Sequence, residues 1–501
     1  MLLLRKFPRQ SQILIRQLNY CGLSAFGNGP SRFTSVAFHQ QERDDGSANP
    51  SDLNYLIAKF SVGCDHDEIL QSIMGDDGCK TIQVSHDLVA KLLSRFKDDW
   101  KSALAVFKWA ESSSDYEHTH ESYDLMVDIL GKMRQMEEMN AILAKMRESN
   151  LVTLNTIGKA MRRFVGAAQW EDSVRLFDKL ETFNLKKNTE SMNLLLDTLS
   201  KERRVEKARE IFLQLKSYIS PDANTFNIFI HGWCKINRVD EAYWTLQEMK
   251  GCGFKPCVIS YSTIVQFYSQ KGKFVEVYGV LDEMEAEGCP PNVVTYTTIL
   301  VQLTKSEKFD EAVGISERMK AAGCKPDTLF YNAFIHTLGK AGRVEEAVHV
   351  FEVEMASINV QPNTSTYNSM IAMFCQHGQQ SRALRLLREL EGSVLCKPDV
   401  HTYYPLLKSC LRSGMVDSLL SQLLDDMVRK HHLGLDLSAY KLLIHGLCRV
   451  NRCEWAYQLF EEMISKDIKP RYQTCNVLLE EVRLNGMLRA AEKIETFMKS
   501  V

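Results

Sequence analysis

Apolar and polar residues recur along most of the chain in blocks of similar length. Five blocks, which begin at residues 223, 258, 293, 328 and 364, lie 35, 35, 35 and 36 residues apart. Each opens with a short polar or apolar pair before an aromatic residue and closes with Pro and a small or polar residue. Weaker copies occupy 120–153, 154–188, 189–222, 400–436 and 437–471, with a truncated copy at 472–501 and a degenerate one at 84–119. A fixed period of this length is typical of proteins built from stacked repeats.

Each block predicts two helices joined by a turn. The first helix carries apolar residues at helical spacing, as in Tyr331, Phe334 and Leu338. It ends in the fifteenth position, at residues that tolerate the left-handed conformation closing a helix. These residues are Asn237, Gly272, Gly342, Gly378, Gly414 and Asn451. Alanines in the twentieth position, such as Ala242 and Ala347, let two helices approach closely. The pattern predicts an all-α protein, a right-handed superhelical solenoid of about 10 to 12 helix-turn-helix units.

Charge is distributed unevenly along the chain. The 501 residues carry a net charge of −2, so a nucleic-acid-binding surface would need local clusters of cations. Residues 1–41 contain arginines and an apolar stripe but no acid, which predicts a transit peptide. The arginine-rich, amphipathic start favours the mitochondrion, with the plastid as the alternative. Residues 42–83 are polar and predict a linker with a short helix near 53–60. No apolar run is long enough for a transmembrane helix.

Reactive residues indicate neither a metal centre nor a catalytic centre. The 14 cysteines contain no Cys-x-x-Cys pair, which a structural zinc site would favour. Cys234 and Cys375 share the twelfth position of their blocks, which predicts small buried residues in a reducing compartment. His66, Asp67 and Glu68 supply the His-x-Glu of zinc deaminases without its Cys-x-x-Cys partner. We therefore expect no enzyme, no cofactor, no metal and no small-molecule substrate.

Three short motifs recur in the blocks. They are Tyr followed by Asn, Thr or Ser near the start, Ala-Gly-Arg-Val-Glu-Glu-Ala at 341–347, and Lys-Pro-Asp at the end. Together they resemble the pentatricopeptide repeat family, in the plant organellar class that has pure 35-residue repeats and no catalytic tail. The resemblance covers about 84–501 and is most specific between 189 and 399. The related tetratricopeptide repeat has a period of about 34 residues and a Trp-Leu-Gly core, which fit poorly here.

The resemblance implies binding of single-stranded RNA along a concave surface, with one base per repeat. The fifth and last positions of each block would read the base. The pairs are Asn193/Asp222, Asn227/Cys257, Ser262/Asn292, Thr297/Asp327, Asn332/Asn363 and Asn368/Asp399. An Asp acceptor in the last position suits the ring N–H of U or G, whereas an Asn amide donor suits the ring nitrogen of A or C. In the family, Asn in the fifth position selects pyrimidines and Ser or Thr selects purines. The core is then expected to read 5′-U-(C/U)-A-G-(C/U)-U-3′.

Two further positions fit an RNA path. The second position is apolar in three adjacent blocks, and family members wedge each base between such residues. These base-stacking candidates are Ile259, Val294 and Leu329. Their alternative role is ordinary packing between repeats. The thirteenth position carries a cation in most blocks, which could neutralise the RNA backbone. The candidate phosphate contacts are Lys201, Lys235, Lys305 and Lys340. Their alternative role is to stabilise helix C-termini.

The predicted organisation has five parts. They are a mitochondrial transit peptide at 1–41, a polar linker at 42–83, degenerate N-terminal repeats at 84–188, core repeats at 189–399 and degenerate C-terminal repeats at 400–501. The resemblance implies a sequence-specific RNA-binding protein in mitochondrial transcript stabilisation, processing, splicing or translation. RNA-processing or ribosomal proteins are further expected partners. The alternative is a helical-repeat scaffold that binds proteins in a mitochondrial complex.

Overall fold

The computed structural model describes residues 49–63 and 65–500, so the predicted transit peptide lies outside the described residues. Within these ranges the chain is made of α-helices, a few 3-10 and π-helical turns and connecting loops, with no β-strand. No helix in the described ranges is long and apolar enough to cross a membrane. The predicted all-α class is confirmed. The chain divides into two compact units, Met1–Ile129 and Leu130–Val501.

The first unit is helical through the region predicted to be a linker. Its helices are Pro50–Phe60, His66–Met74, Asp77–Lys80, His86–Arg95, Trp100–Glu111 and the start of His120–Lys132. The short helix predicted near 53–60 is present as Pro50–Phe60, whereas His66–Met74 and Asp77–Lys80 are helices where the sequence predicted a polar linker. Residues 42–48 lie outside the described part.

A small apolar core explains why this polar stretch folds. Leu56 and Phe60 lie four residues apart in one helix and are buried, as are Ile69 and Ile73 in the next. The ring of Phe60 packs edge-on against Trp109, with ring centroids 5.7 Å apart. Two apolar residues per helix are enough to bury one face, although the average composition of the stretch is polar.

The second unit is a stack of helix pairs, each formed by a helix A and a helix B. We name its last nine repeats R1 (189–222), R2 (223–257), R3 (258–292), R4 (293–327), R5 (328–363), R6 (364–399), R7 (400–436), R8 (437–471) and R9 (472–500). The A helices are Thr189–Lys201, Ala223–Lys235, Val258–Gln270, Val293–Lys305, Thr328–Lys340, Thr364–Gln376, Val400–Ser413, Leu437–Arg449 and Tyr472–Leu484.

The B helices follow each A helix after a short turn. They are Val205–Leu215, Val239–Gly251, Phe274–Ala286, Phe309–Ala321, Val344–His349, Gln380–Gly392, Ser421–Asp425, Cys453–Ser465 and Leu488–Ser500. π-helical turns flank those of R5 and R7, at Val350–Glu354, Val416–Leu420 and Asp426–Lys430, and Met355–Ser357 ends that of R5. Before R1 the chain forms Met136–Glu148, Leu154–Gly166, Trp170–Asp178 and a 3-10 turn at Leu180–Phe183.

Contacts between consecutive helices hold the stack together. Each A helix packs against its own B helix and against the A helix of the next repeat. The turn residues predicted from the sequence are left-handed, with φ of 64° at Asn237 and 69° at Gly272. The alanines in the twentieth position, such as Ala242 and Ala347, are completely buried. Tyr261 is also buried and donates its hydroxyl to a Glu of its own B helix at 3.2 Å.

The cysteines behave as the repeat pattern predicts. Every cysteine that the structure describes is free. Cys234 and Cys375 are buried, and burial raises the pKa of each thiol to about 12. These residues are small apolar packing groups.

Candidate nucleic-acid interface

In five of the six core repeats the side chain of the last residue caps helix A of the next repeat, and Cys257 of R2 is the exception. Asp222, for example, is the N-cap of the first helix of R2, and its Oδ1 accepts the backbone N–H of Thr225 at 2.8 Å. Asn292, Asp327, Asn363 and Asp399 cap the following helices in the same way. The polar character of the last position is thus explained by helix capping, whatever else the residue binds.

The fifth-position residue lies against this cap in four of the six predicted pairs. The Nδ2 of each fifth-position asparagine donates to the last residue of its own repeat. The distances are 3.0 Å from Asn193 to Asp222, 3.8 Å from Asn227 to the sulfur of Cys257, 3.3 Å from Asn332 to Asn363 and 3.0 Å from Asn368 to Asp399. Residues about 30 positions apart in the sequence therefore form one polar unit.

A third residue, which the sequence analysis missed, completes this unit. The hydroxyl in the third position of the next repeat lies against the side-chain oxygen of the asparagine. The distances to Oδ1 are 2.7 Å for Thr225–Asn193, 2.6 Å for Ser260–Asn227, 2.6 Å for Thr366–Asn332 and 2.6 Å for Thr402–Asn368. Recurrence of Ser or Thr in this position is the signal that could have revealed it.

Capping determines which atom of the last residue is left for a ligand. In Asp222, the bonds from Thr225 N, Thr225 Oγ1 and Asn193 Nδ2 measure 2.8, 2.9 and 3.0 Å and all converge on Oδ1. In Asn363, the bonds from Thr366 N, Thr366 Oγ1 and Asn332 Nδ2 measure 3.0, 3.0 and 3.3 Å and also converge on Oδ1. The atom outside these bonds is the acceptor Oδ2 in Asp222 and the donor Nδ2 in Asn363. Replacing the carboxylate Oδ2 of Asp by the amide Nδ2 of Asn thus changes the group that the repeat presents to a ligand from an acceptor to a donor.

Hydrogen bonding also shifts the charge state of two last-position residues. Burial works to raise the pKa of Asp222, but the bonds from Asn193 and Thr225 outweigh it and hold the pKa below its ordinary value. Burial likewise works to raise the pKa of the Cys257 thiol, and bonds from Ser260, the Ile259 backbone and Asn227 more than offset it. In both side chains the hydrogen bonds stabilise the deprotonated form, which accepts hydrogen bonds.

R3 and R4 form a different arrangement. Ser262 Oγ lies 2.7 Å from Thr295 Oγ1, so it contacts the third-position hydroxyl but makes no direct bond to Asn292. Thr297 donates to the carbonyl of Val293 in its own helix at 2.7 Å. Phe330 occupies the third position of the following repeat and has no hydroxyl. The structure does not bond these two predicted pairs to each other directly.

The apolar residues in the second position are exposed. The exposed fractions are 63% for Ile259, 42% for Val294 and 59% for Leu329. Because each lies on the first turn of helix A, they share the end of the helix that holds the capping residues. Each is more accessible than a core residue of the same helices such as Tyr261, so its side chain has surface left for a ligand.

The four predicted phosphate contacts differ in their surroundings. Lys201 pairs with Asp197 at 2.7 Å, and Lys235 donates to the carbonyl of Lys201 at the end of the preceding A helix. Lys235 thus also stabilises a helix C-terminus, as the alternative interpretation requires. In the part of the chain that the structure describes, Lys305 and Lys340 form no ion pair. Loss of surrounding water lowers the pKa of Lys305.

One group of potential metal ligands occurs among the described residues. Asp65, His66 and Asp67 bring their ligand atoms together, with His66 Nδ1 3.2 Å from Asp65 Oδ1 and Nε2 3.3 Å from Asp67 Oδ1. The cluster is on a surface helix of the first unit, and Asp67 also lies 3.6 Å from Lys108. The three residues belong to the first unit and are not part of R1–R6.

Together, the stacked helix pairs define an α-solenoid in which R1, R2, R5 and R6 carry the same polar unit. The PPR repeat family matches residues 121–151, 187–235, 221–266, 256–305, 294–324, 326–376, 362–412 and 432–464. A pentatricopeptide repeat-containing protein of Arabidopsis thaliana, named as mitochondrial, is 56% identical over 458 residues, which are 91% of this chain and 90% of the relative. The chain therefore belongs to the pentatricopeptide repeat family.

A further relative and a solved structure are also similar to the chain. A second mitochondrial pentatricopeptide repeat-containing protein of Arabidopsis thaliana is 39% identical over 189 residues, which are 37% of this chain and 33% of the relative. The names of these relatives support the predicted mitochondrial location. The fold is similar to that of PPR10 in complex with an 18-nt psaJ RNA element, with a TM-score of 0.52, 20% identity and coverage of 88% of this chain and 63% of PPR10.

Proposed function

We propose that this protein binds single-stranded RNA in mitochondria and reads one base with each of the repeats R1–R6. The observation that carries the proposal is the convergence of capping bonds on Oδ1 of Asp222 and of Asn363, which leaves an acceptor in one repeat and a donor in the other. An acceptor complements the ring N–H of U or G, and a donor complements the ring nitrogen of A or C.

The remaining features of the surface suit the same ligand. The exposed Ile259, Val294 and Leu329 offer apolar faces against which bases can stack. Lys305 and Lys340 offer unpaired positive charge for the backbone although the chain as a whole carries a net charge of −2. With R1 at the RNA 5′ end, the proposed target is 5′-U-(C/U)-A-G-(C/U)-U-3′. The protein then acts by occupying a transcript and not by catalysis.

Binding of the full chain to short synthetic RNAs tests this function. One probe contains UCAGCU and the other contains UCUUCU, and each is measured at several stated salt concentrations. We expect a preference of about tenfold for the first probe, which corresponds to about 1.4 kcal/mol. The variant Ser262→Asn, Asn292→Asp, Thr297→Asn should reverse the preference. Equal weak binding of both probes would contradict the proposal and favour a protein-binding scaffold.

A further inference from the structure

We infer that the third-position hydroxyl of each following repeat is a positioning group for base recognition, because it fixes which end of the fifth-position asparagine amide can face a base. The inference rests on the proposed function and adds a specificity determinant outside the fifth and last positions.

The bonding of Thr366 shows how the hydroxyl acts. Its Oγ1 accepts the backbone N–H of Asn363 at 3.0 Å, and its single proton lies between Asn332 Oδ1 at 2.6 Å and Asn363 Oδ1 at 3.0 Å. The amide oxygen of Asn332 is thus held toward the hydroxyl. Its Nδ2 is left to donate to Asn363 at 3.3 Å.

This arrangement leaves one N–H of the asparagine for a ligand. The amide nitrogen has two N–H groups, and one of them is used by the last residue. The second can donate to the carbonyl oxygen at position 2 of a pyrimidine. If the amide were rotated by half a turn, Asn332 Oδ1 would face Asn363 Oδ1, and two acceptors would be in contact. Removing the hydroxyl deletes the donor that holds Oδ1 in place.

The core repeats contain a natural contrast. All four fifth-position asparagines of R1–R6 are followed by Ser or Thr in the third position of the next repeat. Thr297 is followed by Phe330 and donates its proton to its own helix at 2.7 Å. A threonine has no amide to orient, so no hydroxyl is needed beside it. Ser262 also lacks an amide, yet Thr295 follows it and its Oγ1 lies 2.7 Å from Ser262 Oγ. Within R1–R6 every fifth-position asparagine therefore has the hydroxyl, although the hydroxyl is not confined to asparagines.

Two serines provide a matched test. Ser260 Oγ accepts the backbone N–H of Cys257 at 3.2 Å and also contacts Asn227, the fifth-position residue of the preceding repeat. Ser191 Oγ accepts the backbone N–H of Asn188 at 2.9 Å. The fifth-position residue of its preceding block is Gly158, which has no side-chain amide. Ser260→Ala and Ser191→Ala both remove a bond from a backbone N–H to Oγ, but only Ser260→Ala removes a bond to the side-chain amide of a fifth-position asparagine. Ser191 Oγ lies instead against the backbone carbonyls of Asn188 and Lys186 at 3.0 and 3.4 Å. The full chain is titrated with UCAGCU and with UAAGCU, which differ only opposite R2.

We expect the unchanged protein and Ser191→Ala to prefer the pyrimidine probe by about tenfold, and Ser260→Ala to lose most of that preference. Preferences at the other bases should not change. If Ser260→Ala retains the full preference, or if both variants only weaken both probes equally, the hydroxyl is a helix cap and the inference fails while the proposed function stands. If the unchanged protein shows no preference at any base, both fail.

A second comparison guards against misfolding of one variant. Thr366→Val should reduce the pyrimidine preference opposite R5 in the native background. The same substitution is then made in the Asn332→Thr background, where the two changes together imitate the native combination of Thr297 with Phe330. There, Thr366→Val should leave the base preference unchanged, because no amide remains to be oriented. An equal effect in both backgrounds would contradict the positioning role.

Discussion

Asn368 Nδ2 donates to Asp399 Oδ1 at 3.0 Å, so a residue in the middle of one helix A is bonded to the residue that starts the next. The same carboxylate oxygen also accepts the backbone N–H of Thr402 at 2.9 Å. Repeat stacking, helix capping and the proposed base contact thus share one side chain. Substitutions that separate these roles give direct tests.

Asp399→Asn should change the preferred base opposite R6 from U to C while the protein keeps its stability. The amide oxygen can still cap the helix through Thr402, but the outward atom becomes a donor. Asp399→Ala should lose both the preference and about 1 kcal/mol of stability. Equilibrium RNA binding and chemical denaturation of the three proteins distinguish these outcomes. An unchanged preference in Asp399→Asn would contradict the assigned polarity.

The charge of Asp222 should make one part of the stability depend on pH. Its pKa in the folded protein lies below the ordinary value of 3.8, so its stabilising contribution is complete above that value and is lost as the pH falls through the folded pKa. Asp222→Asn does not titrate. The difference in unfolding free energy between the two proteins should therefore be constant from about pH 7 to pH 5 and should change only at lower pH. A change between pH 7 and pH 5 would indicate a different titrating group.

Removing an exposed apolar side chain in the second position should weaken RNA binding without unfolding the repeat. Ile259→Ala and Leu329→Ala are each expected to reduce affinity about threefold to tenfold, because a stacking contact contributes roughly 1 kcal/mol. Thermal unfolding should hardly change because both residues are exposed. Ile264→Ala is the control, since Ile264 is completely buried and its loss should destabilise the protein by about 2 to 5 kcal/mol.

The lysines should contribute unequally to the salt dependence of binding. Lys305→Gln and Lys340→Gln should each reduce the slope of log affinity against log salt by about 0.7, the value for one contact with a single strand. Lys201→Gln should reduce it less, because Asp197 already neutralises much of that charge at 2.7 Å. Equal slopes for all three variants would show that the ion pair with Asp197 does not reduce the contribution of Lys201 to RNA binding.

Replacing a non-glycine residue by glycine in two of the left-handed turns should stabilise the protein. Arg203 and Glu307 have φ of 61° and 59° in the position where R3 has Gly272. Such a conformation costs residues with a Cβ roughly 1 kcal/mol, so Glu307→Gly should stabilise the protein by up to about that amount. Gly272→Ala is the reverse change and should destabilise it. Shifts of the denaturation midpoint measure both, and a destabilised Glu307→Gly would mean that the flexibility of Gly in the unfolded chain outweighs the relief of strain.

The sequence predicted the repeat fold well because the signal is averaged over many copies. A single buried tyrosine such as Tyr331 says little, but the same position in successive blocks identifies helix A, and Asn237 or Gly272 then identifies its end. The first unit lacks this redundancy. Its core also depends on pairs such as Ile69 and Ile73, which lie in a polar segment that the sequence analysis assigned to a linker.

The candidate site was predicted in part. The fifth and last positions stand out because they are polar next to apolar neighbours, and the structure bonds four of the six pairs. The role of residues such as Thr366 could not be predicted, because a third-position Thr is equally well explained by helix capping. Only the distance from Thr366 to Asn332 across two repeats reveals its second contact.

The cap in the last position also limits how such a protein can evolve. A replacement that keeps a side-chain acceptor there preserves the cap of the next helix, and Asp and Asn are among the best residues for this role. Cys257 shows that a repeat can also form without a side-chain cap bond. Asp and Asn present opposite polarity to a ligand. A single exchange of Asp for Asn can therefore change the base that a repeat prefers at little cost in stability. Substitution by residues that cap poorly lowers stability, so selection for a stable fold acts against it even in a repeat that binds no RNA.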